Sequence, residues 1–201
     1  MNKTHMMVAG KQVILLVPDS LSTEQKMQAL WLIAPEGEDA EVWVKNTKVV
    51  EYAETAKAIL ICSPWDEQDT FYTETLWSAL HEQFPALSDE PNGHRLLGLG
   101  ESAERCLKFV FRYPERFCIV VAVCPTSRDD GEGLLGFVKD YMESGKTRPR
   151  TVISDCAEGE GKRMGDAINE YGVDMHVHAE RPLSGWALMD AEVKSCLAHL
   201  L

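Results

Sequence analysis

A chain of 201 residues, 45% apolar and 26% charged, suits a single globular domain with a sizeable core. Its 32 acidic against 20 basic side chains give a net charge of −12. Such a field repels phosphate and anionic lipid, so nucleic acid and membrane are excluded as expected partners. No stretch approaches the roughly 20 apolar residues that cross a bilayer. Met1 to Gly10 carries Lys3 and His5 without a long apolar run, so a cytoplasmic protein is expected.

Taken in chain order, the pattern predicts strands at Gln12–Val17 and Ala29–Ile33, then a helix over Val42–Glu54 with Trp43, Val44, Val50 and Ala53 on one face. A strand at Ala58–Cys62 leads to a helix over Thr73–Phe84. A strand at Arg95–Leu97 leads to a helix over Ser102–Arg112 whose inner face is Leu107, Val110 and Phe111. Cys118–Val123 is the next strand, followed by a loop over Ser127–Gly133 and a helix over Gly133–Glu143. The basic stretch Lys146, Arg148, Arg150 is expected as a solvated loop. The chain closes with strands at Thr151–Ser154 and Val173–His178, and helices over Lys162–Tyr171 and Trp186–Leu200. Gly172 suits the end of the first of these helices, and Leu188, Val193 and Leu197 face inward on the second. Several strands are continuous apolar runs, and strand–helix alternation implies a mostly parallel sheet covered by helices on both faces. No repeat or linker divides it, so one α/β domain over residues 1–201 is expected.

In such a sheet, ligands sit beyond the carboxyl ends of the strands. The informative junction runs from Arg95 through Leu-Leu-Gly-Leu-Gly-Glu-Ser-Ala into a helix. Gly98-x-Gly100-x-x-Ala103 fits the short dinucleotide pattern, but it lies mid-chain. The next strand ends Val123-Cys124-Pro125, without the carboxylate a ribose needs, so no dinucleotide is expected. The alternative is a nucleophile elbow, a strained strand-to-helix turn flanked by small residues.

The run from Leu97 to Phe117 resembles the elbow and following helix of the esterase D-like branch of the α/β-hydrolases. That branch includes S-formylglutathione hydrolases, tributyrin esterases and acetyl-xylan or feruloyl esterases. Gly98 and Leu99 match the opening of its Gly-Leu-Ser-Met-Gly-Gly motif, Leu107-Lys108 the helix, and Pro114-Glu115-Arg116-Phe117 its end. Val13–Pro18, Leu30–Asp39, Asn46–Ala53 and Thr70-Phe71-Tyr72-Thr73 resemble further family segments in the same order. The resemblance implies an α/β-hydrolase fold of reduced size, shortened between Pro125 and Thr151, and an esterase site that needs no cofactor.

The catalytic positions are where this chain departs from the family. The nucleophile position is Gly100, the acid falls at Glu160, and the histidine position holds Ser184. The oxyanion loop becomes Ala34-Pro35-Glu36, and proline has no N–H to donate, which leaves the Glu101 amide as the matching donor. The Glu101 carboxylate itself stands where the helix N-terminus attracts an anion. Glycine supplies no nucleophile, and serine cannot replace an imidazole as base near neutral pH. No catalytic residue is expected, and the role implied is binding of an unknown small ligand or protein, or pairing into a homodimer as family esterases do. Trp186 and Tyr72 are candidate pocket-lining residues.

The alternative is an active carboxylesterase or thioesterase with Ser102 as nucleophile, against the plainer reading of Ser102 as a helix-start serine bonded to backbone, with Glu104 exposed nearby. His176 and His178 share a strand face but lack an evident third ligand beyond Glu180, so no metal is expected. His94 falls at the wrong end of the sheet for catalysis, and His81 and His199 lie far from the elbow in sequence. Ser144-Gly145-Lys146-Thr147 has Asp140 where a phosphate loop needs glycine, and Gly159-Glu-Gly161-Lys162 is too acidic to invite phosphate. Six scattered cysteines without a Cys-x-x-Cys read as reduced thiols, Cys106 and Cys156 among them. Trp65 and Trp77 read as packing residues.

Overall fold

The computed structural model of the chain describes residues 1–19, 26–127, 131–146, 149–155, 159–178 and 182–198. It contains one eight-stranded sheet: β1 (Asn2–Val8), β2 (Lys11–Val17), β3 (Gln28–Ile33), β4 (Ala58–Ser63), β5 (His94–Leu99), β6 (Ile119–Val123), β7 (Arg150–Ser154) and β8 (Met175–His178). Their spatial order is β1-β2-β4-β3-β5-β6-β7-β8. The β1–β2 and β2–β4 pairs are antiparallel, and every later pair is parallel. Seven of these strands match the expected ones to within about two residues at each end.

The exception is β1. Its residues Asn-Lys-Thr-His-Met-Met-Val are mostly exposed, and it lies at the sheet edge, paired with β2. An edge strand wet on its faces carries no apolar period, so nothing in Met1–Gly10 announces it. The hairpin turns at Ala9 and Gly10, both at positive φ.

Helices α1 (Glu41–Asn46), α2 (Val49–Ala53) and α7 (Gly185–Ala198) cover one face of the sheet, packing Trp43, Val49, Ala53, Leu188, Val193 and Leu197 on Leu30, Leu32, Leu60 and Leu97. On the other face lie α3 (Trp77–Gln83), α4 (Glu101–Arg112), α5 (Glu132–Glu143) and α6 (Glu160–Glu170). Leu107, Val110 and Phe111 are all buried there, as their spacing implies.

Two expected helices differ in form. The segment Val42–Glu54 breaks in two because Asn46 Nδ2 and Thr47 Oγ1 donate back to the Val42 and Trp43 carbonyls, ending α1, while Thr47 turns extended. The segment Thr73–Phe84 begins two residues early, as a π-helical stretch over Phe71–Leu76 leading into α3. The break between α1 and α2 is held from a distant part of the chain. Asp190 on α7 accepts the Lys48 N–H at 2.6 Å and the Tyr52 hydroxyl at 2.8 Å. Burial, then the Asp190 bond and charge, push the Tyr52 phenol up to about 12. Asp190→Ala is expected to destabilise the protein by about 1–2 kcal/mol, through loss of a helix-start acceptor and the paired hydroxyl, read as a fall in the denaturant midpoint at unchanged m.

The Lys146–Arg150 stretch is not all loop, since Arg150 opens β7. Cys156, Arg148, Glu180 and His199 lie outside the described residues, as do parts of the Ser127–Gly133 loop and the end of the last helix.

Candidate functional site

Strand β5 ends at Leu99, and α4 begins at Glu101, leaving a single residue to make the turn. That residue, Gly100, has φ +64° and ψ −125°. A side chain tolerates that region poorly, and glycine occupies it without steric penalty. The turn is held firmly: Gly100 N–H donates to the Val123 carbonyl at 3.0 Å, and the Gly100 carbonyl accepts from Ala103 at 3.0 Å and Thr126 at 3.3 Å. Helix α4 therefore packs almost directly on the strand end. A Cβ on Gly98 would come within 2.5 Å of the Ser102 carbonyl oxygen.

Ser102 is fully buried, and its hydroxyl turns back under the bend. Oγ accepts the Leu99 N–H at 2.9 Å and donates to the Leu99 carbonyl at 3.0 Å. Both roles of the hydroxyl are thus used within the turn. Glu104 is not the exposed neighbour expected from the sequence. It is buried, with Lys108 at 2.9 Å and the Ser127 hydroxyl donating to it at 2.9 Å.

Glu160 opens α6 after β7, and Ser184 precedes α7 after β8, so both stand at the carboxyl end of the sheet with Gly100. Glu160 Oε1 accepts the Ser127 N–H at 2.9 Å. Ser127, in the loop after β6, thereby links Glu160 to Glu104 on α4. Ser184 is exposed, and its carbonyl accepts from Leu188 at 3.4 Å.

No imidazole among the described residues joins these positions. His94 starts β5 at the far end of the sheet, and His81 lies on α3 beside it. His176 and His178 are exposed on β8, three strands from β5 and so about 14 Å away at the usual strand spacing. No group of three His, Cys, Asp or Glu side chains suited to a metal occurs among the described residues.

Beside the elbow lies a cleft of about 400 Å³, lined by Glu36, Trp65, Glu101, Arg105 and Phe137 together with Asp69, Glu104, Lys108 and Arg112. The residues expected at the oxyanion loop are divided. Ala34 N–H donates to the Ser63 carbonyl at 3.1 Å, Pro35 has no N–H, and Glu36 and Glu101 reach the cleft wall. Arg105 organises the opposite wall. Its guanidinium stacks on Trp65 at 4.1 Å and donates to the carbonyls of Asp66 and, at 2.9 Å, Glu67. Asp69 pairs with Arg112 at 2.8 Å.

Tyr72 is not on this wall. It is fully buried behind it, with its hydroxyl accepting from Asp66 N–H at 2.7 Å and donating to the Pro64 carbonyl at 2.9 Å. Burial pushes its phenol well up. Trp186 lies on the other face of the sheet, edge-on to Trp43 at 5.4 Å, and does not line the cleft. Trp65, expected as a packing residue, and Arg105, which the sequence does not single out, together build one wall of the cleft. Trp65 was legible only as an aromatic two residues past a strand end, and Arg105 only as one helix charge among several. Cys106 is buried in the core, where desolvation pushes its thiol up. Cys124, just past β6, takes positive φ and packs against the apolar cluster on the α1, α2 and α7 face of the sheet.

This architecture is the α/β-hydrolase fold, with its sharp strand-to-helix turn after β5. The structure of FphF, a fluorophosphonate-binding serine hydrolase of Staphylococcus aureus, superposes with a TM-score of 0.85 at 13% identity, over 99% of this chain and 97% of that one. S-formylglutathione hydrolase FrmB from Staphylococcus aureus gives 0.83 at 13% identity, over 99% and 95%. A ferulic acid esterase gives 0.77 at 14% identity, over 99% and 96%. No family model and no curated protein matches the sequence.

Proposed function

We propose that this chain is an esterase-family protein that has given up acyl transfer and uses the cleft beside its elbow to bind a small ligand or a protein partner. The observation that carries this reading is Gly100: the backbone holds the nucleophile's strained conformation, and the residue there has no attacking atom. Once catalysis is no longer selected, glycine at such a position lowers strain at no functional cost. Ser102 does not replace the missing group, because its hydroxyl is spent on Leu99 and shielded from the cleft. The acid position supports the same reading, since Glu160 anchors the loop after β6 through Ser127. Net charge disfavours nucleic acid, and no helix among the described residues is long and apolar enough to cross a membrane.

The test is hydrolysis of p-nitrophenyl acetate and butyrate, with fluorophosphonate labelling as a second readout. The expected result is turnover no faster than a catalytically dead control, and no label. Turnover or labelling abolished by Ser102→Ala would overturn the proposal in favour of a carboxylesterase or thioesterase.

Gly100→Ser tests the elbow directly. An added Cβ meets only Thr126 Oγ1, at an ordinary 3.6 Å, so the cost is conformational. It is expected at about 1–3 kcal/mol, a fall in Tm of roughly 2–10 °C for a chain of this size. Activity is expected to stay absent, because a serine without an adjacent base is a poor nucleophile. A variant as stable as the parent would contradict the strain argument.

A further inference from the structure

The amino-terminal end of the sheet, opposite the elbow, holds a larger cavity of about 820 Å³. Its walls include Gln28, Arg95, Ile119, Tyr141, Lys146 and Arg150. Strand register decides the arrangement of its charges. Arg95 pairs with Ile119, and Ile119 with Arg150. Neighbours in register on parallel strands point to the same face, so two guanidinium groups flank one isoleucine, on backbones about 10 Å apart.

Arg95 is pinned there by a bond of 3.4 Å from Nη1 to the Cys196 carbonyl near the end of α7. Burial, and next to it the charge of Arg150, hold its guanidinium below the usual range. Lys146 adds a third cation, 6.0 Å from the Tyr141 ring. Two carboxylates, Glu90 and Glu115, also reach the wall, but both are exposed, and neither forms an ion pair among the described residues. Three cations therefore converge on one cavity of a chain whose net charge is −12.

A second observation is independent of charge. Gln28 Oε1 is shielded from solvent and has no hydrogen-bond partner among the described residues. A buried amide oxygen left unmatched costs free energy, which a turn of the half-buried Gln28 side chain toward a ligand donor in the cavity would recover. The cavity volume lies within the range of sites for small organic molecules, and Ile119 and Tyr141 give it an apolar wall.

We infer that this cavity binds a small organic anion bearing hydroxyl groups, its charge set between Arg95 and Arg150, with Lys146 at the rim and one hydroxyl donated to Gln28. A phosphate and a carboxylate share this chemistry, and forked guanidinium groups suit both. The site lies at the other end of the sheet from the elbow cleft and does not depend on the reading of that cleft.

Titration calorimetry at low ionic strength tests it, with ribose 5-phosphate, gluconate and uncharged ribose as probes. One or both anions are expected to bind saturably at one site, with ribose silent and affinity falling as salt is added. Arg150→Gln changes an exposed residue and is expected to keep the fold while weakening binding about tenfold or more, the worth of one charge-assisted hydrogen bond. Gln28→Leu is expected to weaken binding less, with thermal stability retained. Silence of both anions up to ~10 mM, where even a weak site fills, would overturn the inference. So would affinity that ignores Arg150→Gln, or that follows Glu101→Gln at the elbow instead.

Discussion

Gly98→Ala is expected to destabilise the protein by about 3 kcal/mol or more and to lower Tm by roughly 6–12 °C. The added methyl would stand 2.5 Å from the Ser102 oxygen, 2.6 Å from its carbonyl carbon and 2.7 Å from the Ala103 nitrogen. All three are backbone atoms of the first turn of α4, so no side chain can swing aside. Relief requires moving the helix off the strand, which would strain the Gly100 bonds to Val123 and Thr126 and unseat Ser102. Gly136→Ala is the control. That glycine is exposed on α5, and its Cβ would meet nothing within 4 Å, so the change is expected to stabilise by about 0.5–1 kcal/mol. Thermal unfolding of the two variants should move in opposite directions. A Gly98→Ala variant within about 1 kcal/mol of the parent would mean that helix and strand are not in the close contact described.

Acid should weaken the fold through His94. The ring is fully buried among Trp31, Trp77 and Phe117, with Trp31 Nε1–H donating to Nδ1 at 3.0 Å and Nε2 lying 2.6 Å from the Ser88 carbonyl. Accepting at one nitrogen and donating at the other is the pattern of a neutral imidazole. Burial, its largest influence, holds the ring at about 4. The Ser88 carbonyl and Asp89 act to raise it, and His81 and Arg116 to lower it.

In the unfolded chain the same group titrates near 6.5. Between those values the unfolded state binds the extra proton, so stability rises with pH. The contribution is fully present above about 6.5 and is lost as pH falls toward 4, on the order of 3 kcal/mol in all. Carboxylates titrate in the same window, so the measurement is the difference between the parent and His94→Gln. Glutamine can still accept from Trp31 and donate to Ser88. The variant is expected to show the shallower loss of stability on acidification, and equal slopes would contradict the assignment.

The elbow shows what residue types can and cannot announce. Gly98 and Gly100 are informative because each satisfies a local steric demand: one admits a helix against a strand, the other a positive φ. Both demands operate within a few residues, so the turn is legible from the letters around it. The cleft beside it is different. Trp65 and Arg105 meet across a 4.1 Å stack, although 40 positions separate them. Tyr72, expected to line the pocket, is withdrawn behind the wall by bonds to Pro64 and Asp66. Glu104 carries the letter of a solvated helix charge, yet Lys108 and Ser127 make its burial affordable.

Residue pattern alone places seven of the eight described strands, the alternation that makes the sheet mostly parallel, the sharp turn after β5 and the absence of a side chain at its apex. These follow from apolar periodicity and backbone sterics, which act over a turn or a strand. That Met1–Gly10 supplies an edge strand, that Asp190 holds the start of α2, and that Arg95 and Arg150 share one cavity emerge from the assembled fold. The edge strand pairs with its chain neighbour but, wet on its faces, carries no apolar period to announce it; the other two depend on atoms from positions far apart in the chain, where strand register or helix docking, rather than local propensity, sets where they meet.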